Sequence, residues 1–170
     1  GGPAKVAVLA SGFFGSLSGS PIANIATTGA FTIPAMKRLG YPAHYAAAVE
    51  ACASSGSDTM PPVMGGSVFL MIVIAGVTYS DVLVAAFLPT VLYYFGLIIQ
   101  IDGFAVKHNL KAFDKDSIPR LRSTLKEGWL YLVAISFLIF GLVFMRWGVI
   151  TPIYTVGLVM LLLVLNWFIK

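Results

Sequence analysis

Side chains that could bind ions gather in two short segments of an otherwise apolar chain. The first lies within GSLSGSPIANIATTGAFTIP, residues 15–34, and the second is SSGSDTMPP, residues 54–62. Because glycine and proline interrupt helices, we expect each segment to break a helix and to leave backbone groups free. Free carbonyls and hydroxyls suit a hard cation, whereas free N–H groups at a helix start suit an anion. The two segments therefore predict a site for a small cation and an organic anion.

Polar side chains in and beside the breaks supply the candidate ligands. Hydroxyl groups in the breaks belong to Ser18, Ser20, Ser54, Ser55, Ser57 and Thr59. Asn24, Thr27 and Thr28 continue from Ser20 at spacings of three and four, which places them on one helix face. A simpler interpretation is that such hydroxyls bond to carbonyls one turn back, and that nearby small residues only allow close helix packing. We assign substrate binding or coupling to Ser57, Asp58, Thr59, Thr27 and Thr28.

Two carboxylates lie in or near the second break. An intramembrane carboxylate is costly and usually marks a functional site. Asp58 could bind a cation directly or carry a proton; the simpler alternative is that it caps the following half-helix. Glu50 has no basic residue near it in sequence and could pair with a group elsewhere in the protein.

The composition is that of an integral membrane protein. Of the 170 residues, 58% are hydrophobic and 11% are charged, and the mean hydropathy is +0.90. Soluble domains carry about 25% charged residues. The net charge of +4 is better explained by membrane orientation than by nucleic-acid binding. Because the chain has a single cysteine, an internal disulfide is excluded. The sequence contains no metal-ligand spacing, no nucleophile–base set and no phosphate loop that would indicate an enzyme.

The order of apolar and basic stretches predicts an all-α membrane fold. We expect a re-entrant hairpin entering from the cytoplasm over 1–40. A discontinuous transmembrane helix covers 41–77, is broken near 56–62 and resumes at Pro61. A continuous span covers 78–103, and its first residues, 78–81, form an outer turn. A basic cytoplasmic loop with an amphipathic segment occupies 104–128, and two spans occupy 129–170. Because the chain begins GGPAKVAVLA without Met, we expect a piece of a longer polypeptide.

Two long motifs carry a resemblance to a known family. GSLSGSPIANIATTGAFTIPAMKRLGY and VEACASSGSDTMPPVMGGSVFLM resemble the large membrane subunit of tripartite ATP-independent periplasmic (TRAP) transporters. The chain is most similar to the fused permeases that work with TAXI-type binding proteins, and the likeness is strongest over about residues 1–103. The resemblance implies an elevator-type secondary transporter built of inverted repeats, in a bacterial or archaeal cytoplasmic (inner) membrane.

The resemblance also implies partners and a sodium site. The partners would be an extracytoplasmic substrate-binding protein and the rest of the permease, including a second repeat and small-subunit helices. Sodium would usually drive uptake of an organic acid, with no cofactor and no transition metal. The implied sodium ligands are Ser18, Gly19, Ser20, Asn24, Ser54, Ser55, Gly56 and Pro61.

One departure from the family pattern leaves the coupling ion open. Family members commonly carry an uncharged residue such as Gln at the position of Asp58, so proton coupling stands beside sodium coupling. Two other functions also stay open. One is a cation/dicarboxylate symporter without a binding protein, and the other is a non-coupled channel or structural membrane subunit.

Overall fold

The computed structural model describes residues 2–110, 129–145 and 150–169, and the ordered elements in these ranges are helices. The chain divides into two compact units, Gly1–Lys115 and Asp116–Lys170. The first unit contains α1 (Gly2–Ser18), α2 (Pro21–Arg38), α3 (Ala43–Ser55), a 3₁₀ turn (Gly56–Asp58), α4 (Ser67–Ala75) and α5 (Tyr79–Lys107). The second contains α6 (Trp129–Val143) and α7 (Thr151–Ile169). An all-helical chain agrees with the predicted fold class.

Helices α1 and α2 form a hairpin with a very short turn. Helix α1 continues to Ser18, and Gly19 with φ +58° closes it. Ser20 adopts an extended conformation, and its hydroxyl accepts a hydrogen bond from Ala23 N at 3.3 Å. Pro21 then occupies the first helical position, where it has no hydrogen bond to lose. Ser20 and Pro21 together therefore fix the start of α2.

The second break is longer than the sequence suggested. Helix α3 ends at Ser55, and regular α-helix resumes only at Ser67, not at the expected Pro61. The intervening backbone turns at Met64, with φ 58°, and Val63 N bonds to Ser16 O of the hairpin at 3.2 Å. Because backbone groups of residues 58–65 bond to each other and to the hairpin, Pro61 and Pro62 lie in a folded connection and do not start a helix.

Helix α5 starts earlier than expected, and its start is fixed by a capping box. Thr78 and Asp81 exchange side-chain and backbone hydrogen bonds, so the predicted outer turn at 78–81 becomes the first turn of the helix. Among the described residues, α5 is the one helix long and apolar enough to cross a membrane. Shorter apolar helices cover Ala4–Ser18, Leu132–Val143 and Thr151–Val164.

Small residues form much of the core of the first unit. Ala4, Ala7, Ala46 and Ala53 are buried together with Val8 and larger side chains of α2, α3 and α5. Many large apolar side chains on the outside of these helices are exposed, as suits a protein surrounded by lipid or by other apolar helices. In the second unit, α6 packs against α7 where Gly141 meets Thr151. Most of the predicted basic loop and its amphipathic segment, residues 111–128, lies outside the described residues.

Candidate functional site

The hairpin turn and the second helix break are in direct contact. A β-carbon added at Gly19 would lie 2.7 Å from the carbonyl carbon of Met64, and one added at Gly65 would lie 3.1 Å from Gly19 O. The hydrogen bond from Val63 N to Ser16 O joins the same two segments. We call this region, Ser16–Ser20 against Asp58–Ser67, the tip–break contact. The two segments that the sequence predicts to be ion-binding are therefore in contact.

Asp58 lies at the edge of the tip–break contact. Its side chain is half-buried, and Oδ2 accepts a hydrogen bond from Ser67 Oγ at 2.9 Å. Asp58 Cγ would lie 2.7 Å from a β-carbon at Gly65, the residue that also borders the Gly19 carbonyl. Ser67 is the first residue of α4, so the negative charge stands near the positive end of that helix. Asp58 therefore lies beside the start of α4 and close to the backbone of the hairpin turn.

Asn24 and Ser57 connect the hairpin to the break below its tip. The Asn24 amide donates to Ser57 Oγ at 2.6 Å and to the Ser11 carbonyl oxygen at 2.8 Å. Both side chains are fully buried. Gly15 permits this approach, because a β-carbon there would lie 2.9 Å from Ser57 Cβ. Of the polar stripe predicted on α2, Asn24 therefore faces the break, Thr28 faces Glu50 and Thr27 is exposed.

Glu50 is the centre of a larger polar network. It is 0% exposed, and its carboxyl group accepts hydrogen bonds from hydroxyls on α1, α2 and α3. Ser11 Oγ lies 2.8 Å and Ser54 Oγ 3.2 Å from Oε1, and Thr32 Oγ1 lies 2.5 Å from Oε2. Thr28 is the fourth hydroxyl partner. Ser11 and Thr32 were missed from the sequence; Thr32 could have been found by extending the Asn24–Thr28 spacing by one more turn.

Other candidate residues lie at or near the break without joining the Glu50 network. Ser55 is exposed, and its hydroxyl donates to Ala51 O at 2.8 Å, as the simpler interpretation anticipated. Thr27 and Thr59 are exposed, and Thr59 Oγ1 donates to Gly56 O at 3.2 Å. Ser18 Oγ accepts from Ser20 N at 3.4 Å, and Pro61 is half-buried.

Two tyrosines of α5 donate hydrogen bonds to carbonyl oxygens near the end of α3. Tyr94 OH donates to Ala53 O at 2.9 Å, and Tyr93 OH donates to Cys52 O at 2.6 Å. Gly56 lies directly beneath Tyr94, whose hydroxyl oxygen would be 2.6 Å from a β-carbon at that position. The expectation that the end of α3 offers free carbonyls to a cation is therefore wrong for these two oxygens, because α5 supplies their donors.

The site has oxygen ligands but no cluster suited to a transition metal in the part of the chain that the structure describes. The ion pair between Lys5 and Asp102, at 2.7 Å, joins α1 to α5 away from both carboxylates of the site. The chemistry available at the tip–break contact is therefore that of hydroxyl, carbonyl, amide and carboxylate groups.

Comparison with known proteins places this arrangement in a family. Residues 1–170 match the family described as "Tripartite ATP-independent periplasmic transporter, DctM component". The chain belongs to the DctM family. The predicted resemblance to the large membrane subunit of TRAP transporters is therefore confirmed, and members of this family are integral membrane permeases. The family, which is one of transporter permeases, agrees with the expectation that the chain is not an enzyme.

Individual relatives support the same assignment. The chain is 32% identical over 152 residues to a Haemophilus influenzae protein whose name proposes a TRAP transporter large permease, covering 89% of this chain and 35% of that protein. It is 29% identical over 152 residues to uncharacterized protein y4mL of Sinorhizobium fredii, again covering 89% and 35%. The DctM chain thus spans about a third of the length of these relatives. No solved structure matches it significantly.

Proposed function

We propose that this DctM chain is part of a secondary active transporter that takes up a small organic anion, coupled to a cation gradient. An extracytoplasmic binding protein of the TAXI type delivers the substrate, and a second repeat and small-subunit helices complete the permease. The observation that supports this most strongly is the tip–break contact, because paired helix breaks at membrane depth are the best sequence pointer to a transporter's binding site.

The cation is best accommodated beside Asp58. Its half-buried carboxylate and the Gly19 carbonyl both border Gly65, and Ser67 adds a hydroxyl. Hard cations such as Na⁺ prefer oxygen ligands of these kinds. Sodium is the cation that we propose, and a proton on Asp58 is the alternative. Ser18 and Ser20, from the ligands implied by the resemblance, lie in the adjoining turn.

The start of α2 is the most favourable binding position for the organic anion. Helix N-termini attract anions, and this unit presents two near the contact, at Pro21 and at Ser67. Asp58 already places a negative charge at Ser67, so the second N-terminus is less favourable for a substrate carboxylate. The exposed Thr27 lies further along α2 and could donate a hydrogen bond to the same substrate. Alternating access then requires the hairpin and broken helix to move together in an elevator-like step.

Uptake by the full-length permease in proteoliposomes tests the proposal. Sodium and proton gradients are imposed separately, with and without the binding protein, over a panel of labelled organic acids. We expect uptake that needs the binding protein and follows the sodium gradient. Uptake without a binding protein would instead identify a cation/dicarboxylate symporter. A passive channel or structural subunit would show no trans-stimulation: internal unlabelled substrate would not accelerate the entry of external label.

A further inference from the structure

Glu50 has no role in the proposed transport step, yet it is the most completely enclosed acidic group that the structure describes. Four hydroxyls, contributed by α1, α2 and α3, lie within hydrogen-bonding distance of its carboxyl group. No lysine, arginine or histidine pairs with it among the described residues, since the one ion pair found there joins Lys5 to Asp102. An ionised carboxylate buried without a counter-charge is costly, above all at membrane depth. Its protonation state is therefore decided by how well the surrounding hydroxyls can compensate it.

The orientation of the Asn24 amide is fixed by a neighbouring carbonyl. The amide nitrogen lies 2.8 Å from the Ser11 carbonyl oxygen, which can only accept a hydrogen bond. A rotated amide would place two oxygens against each other, so Nδ2 must face Ser11 O. Asn24 Oδ1 then faces Thr28 Oγ1 at 3.0 Å. This amide oxygen needs a donor, because its residue is fully buried.

Counting hydrogens around Thr28 distinguishes the two states of Glu50. The Thr28 hydroxyl has one hydrogen, but it is within bonding distance of both Glu50 Oε1 and Asn24 Oδ1. If Glu50 is ionised, the stronger acceptor takes this hydrogen, and Asn24 Oδ1 loses its donor. If Glu50 carries a proton, it donates to Thr28 Oγ1, and Thr28 donates onward to Asn24 Oδ1. Ser11 and Ser54 can also donate to Glu50 Oε1, but only the second arrangement places a hydrogen in both the Glu50–Thr28 contact and the Thr28–Asn24 contact.

We propose that Glu50 is held as a neutral carboxylic acid and acts as a positioning residue. Its proton starts the series Glu50–Thr28–Asn24, which orients the Asn24 amide onto Ser57 in the helix break. This proposal rests on the proposed function in one respect. A hairpin and a broken helix that cross the membrane interior together do so at lower cost when their shared buried acid carries no charge. Coupling then belongs to Asp58 and not to Glu50.

Infrared spectroscopy of the full-length permease tests the protonation state independently of transport. We expect the carbonyl-stretch band of a protonated carboxylic acid at neutral pH, and we expect the Glu50→Gln variant to lack it. Asp58→Asn is the matched control, since it also removes one carboxyl group but should leave the band unchanged. Loss of carboxylate bands alone in Glu50→Gln would overturn the proposal.

A second variant keeps the test decisive if Glu50→Gln does not fold. Thr28→Val removes the hydroxyl that accepts the proposed proton, while Glu50 stays in place. The acid band should then move to higher frequency, because its O–H has lost an acceptor. No protonated-acid band in either the parent or Thr28→Val would refute the neutral acid.

Transport measurements separate positioning from coupling. Glutamine is neutral and can donate to Thr28 as the acid does, so Glu50→Gln should keep kcat/KM within about fivefold of the parent, roughly the effect of one neutral hydrogen bond. Its dependence on sodium and on pH should match the parent. If Glu50→Gln loses cation coupling while still exchanging labelled for unlabelled substrate, Glu50 is a coupling carboxylate and the proposal is wrong. If the parent shows the acid band but no coupled uptake, the proposed function fails and the neutral acid stands.

Discussion

Asp58 and Glu50 belong to the same broken helix segment but have contrasting surroundings. Asp58 is half-buried, accepts a hydrogen bond from the Ser67 side chain, and borders a turn whose backbone oxygens could share a cation. Glu50 is enclosed by three helices, and hydroxyl groups form hydrogen bonds with its carboxyl group. If Asp58 is the coupling group, as we propose, burial alone does not mark the group that exchanges ions. A coupling group must be reachable and incompletely satisfied, whereas a fully bonded buried acid serves to hold helices in register.

The largest expected effect comes from removing the acceptor at the better-buried carboxyl group. Glu50→Leu removes the acceptor of the buried Ser54 hydroxyl and leaves the buried Ser11 hydroxyl with Thr28 as its remaining side-chain partner. We expect a loss of stability on the order of 3 kcal/mol, since each orphaned buried group costs roughly 1–3 kcal/mol. The thermal unfolding midpoint of the purified permease measures it. Asp58→Leu should lower the midpoint much less, and equal losses would erase the contrast between the two carboxylates.

The next effect concerns the steric fit at the tip–break contact. Gly65→Ala would place a methyl group against the Asp58 carboxylate and 3.1 Å from Gly19 O. Separating the two segments should lower the transport rate by about tenfold or more, as overpacking costs roughly 1–3 kcal/mol. Gly66→Ala is the matched control, because no atom lies within 4 Å of a β-carbon there. Equal rates in the two variants would show that the contact is not needed for transport.

Asp58→Asn isolates the charge at the break. Asparagine keeps an oxygen acceptor for Ser67, so we expect the folded protein to be retained. The sodium concentration for half-maximal uptake should rise about tenfold, comparable to the loss of one interaction with a charged group. Asp81→Asn, in the capping box at the start of α5, should leave that concentration unchanged. Unchanged sodium and pH dependence in Asp58→Asn would reduce Asp58 to a helix cap.

The smallest effects are expected from two serines assigned to the cation site by resemblance. Ser20→Ala should cost about 1 kcal/mol of stability, because Ser20 caps α2. Ser55→Ala should cost less, since its hydroxyl is exposed and bonds one turn back. Both variants should weaken the sodium dependence of uptake. If both keep the parent's sodium dependence, the ligand set carried over from the resemblance is wrong.

Local signals in the sequence were enough to predict the hairpin and the two breaks. Ser20 before Pro21 is a helix-start signal that depends only on adjacent residues, and Gly19 closes the preceding helix for an equally local reason. The start of α4 was misplaced, because Pro61 can begin a helix or lie in a turn. Its hydrogen-bonded neighbours decide between them, and one of these, Ser16, lies on another helix.

That Ser11 and Thr32 bond to Glu50 could not be read from the sequence. Ser11 is 39 positions away and Thr32 is 18 positions away, each on a different helix. The hydrogen bonds from Tyr93 and Tyr94 to carbonyl oxygens of α3 could not be read from the sequence either, because both residues look like ordinary members of an apolar span.

The sequence by itself determined the membrane class, the helices, the places where they break and the family to which the chain belongs. These follow from composition, periodicity and short-range capping, which act over a few residues. Tertiary structure alone decided which carboxyl group is satisfied and which is accessible. That property depends on how many donors from distant helices reach each oxygen, and so on packing that no local pattern records.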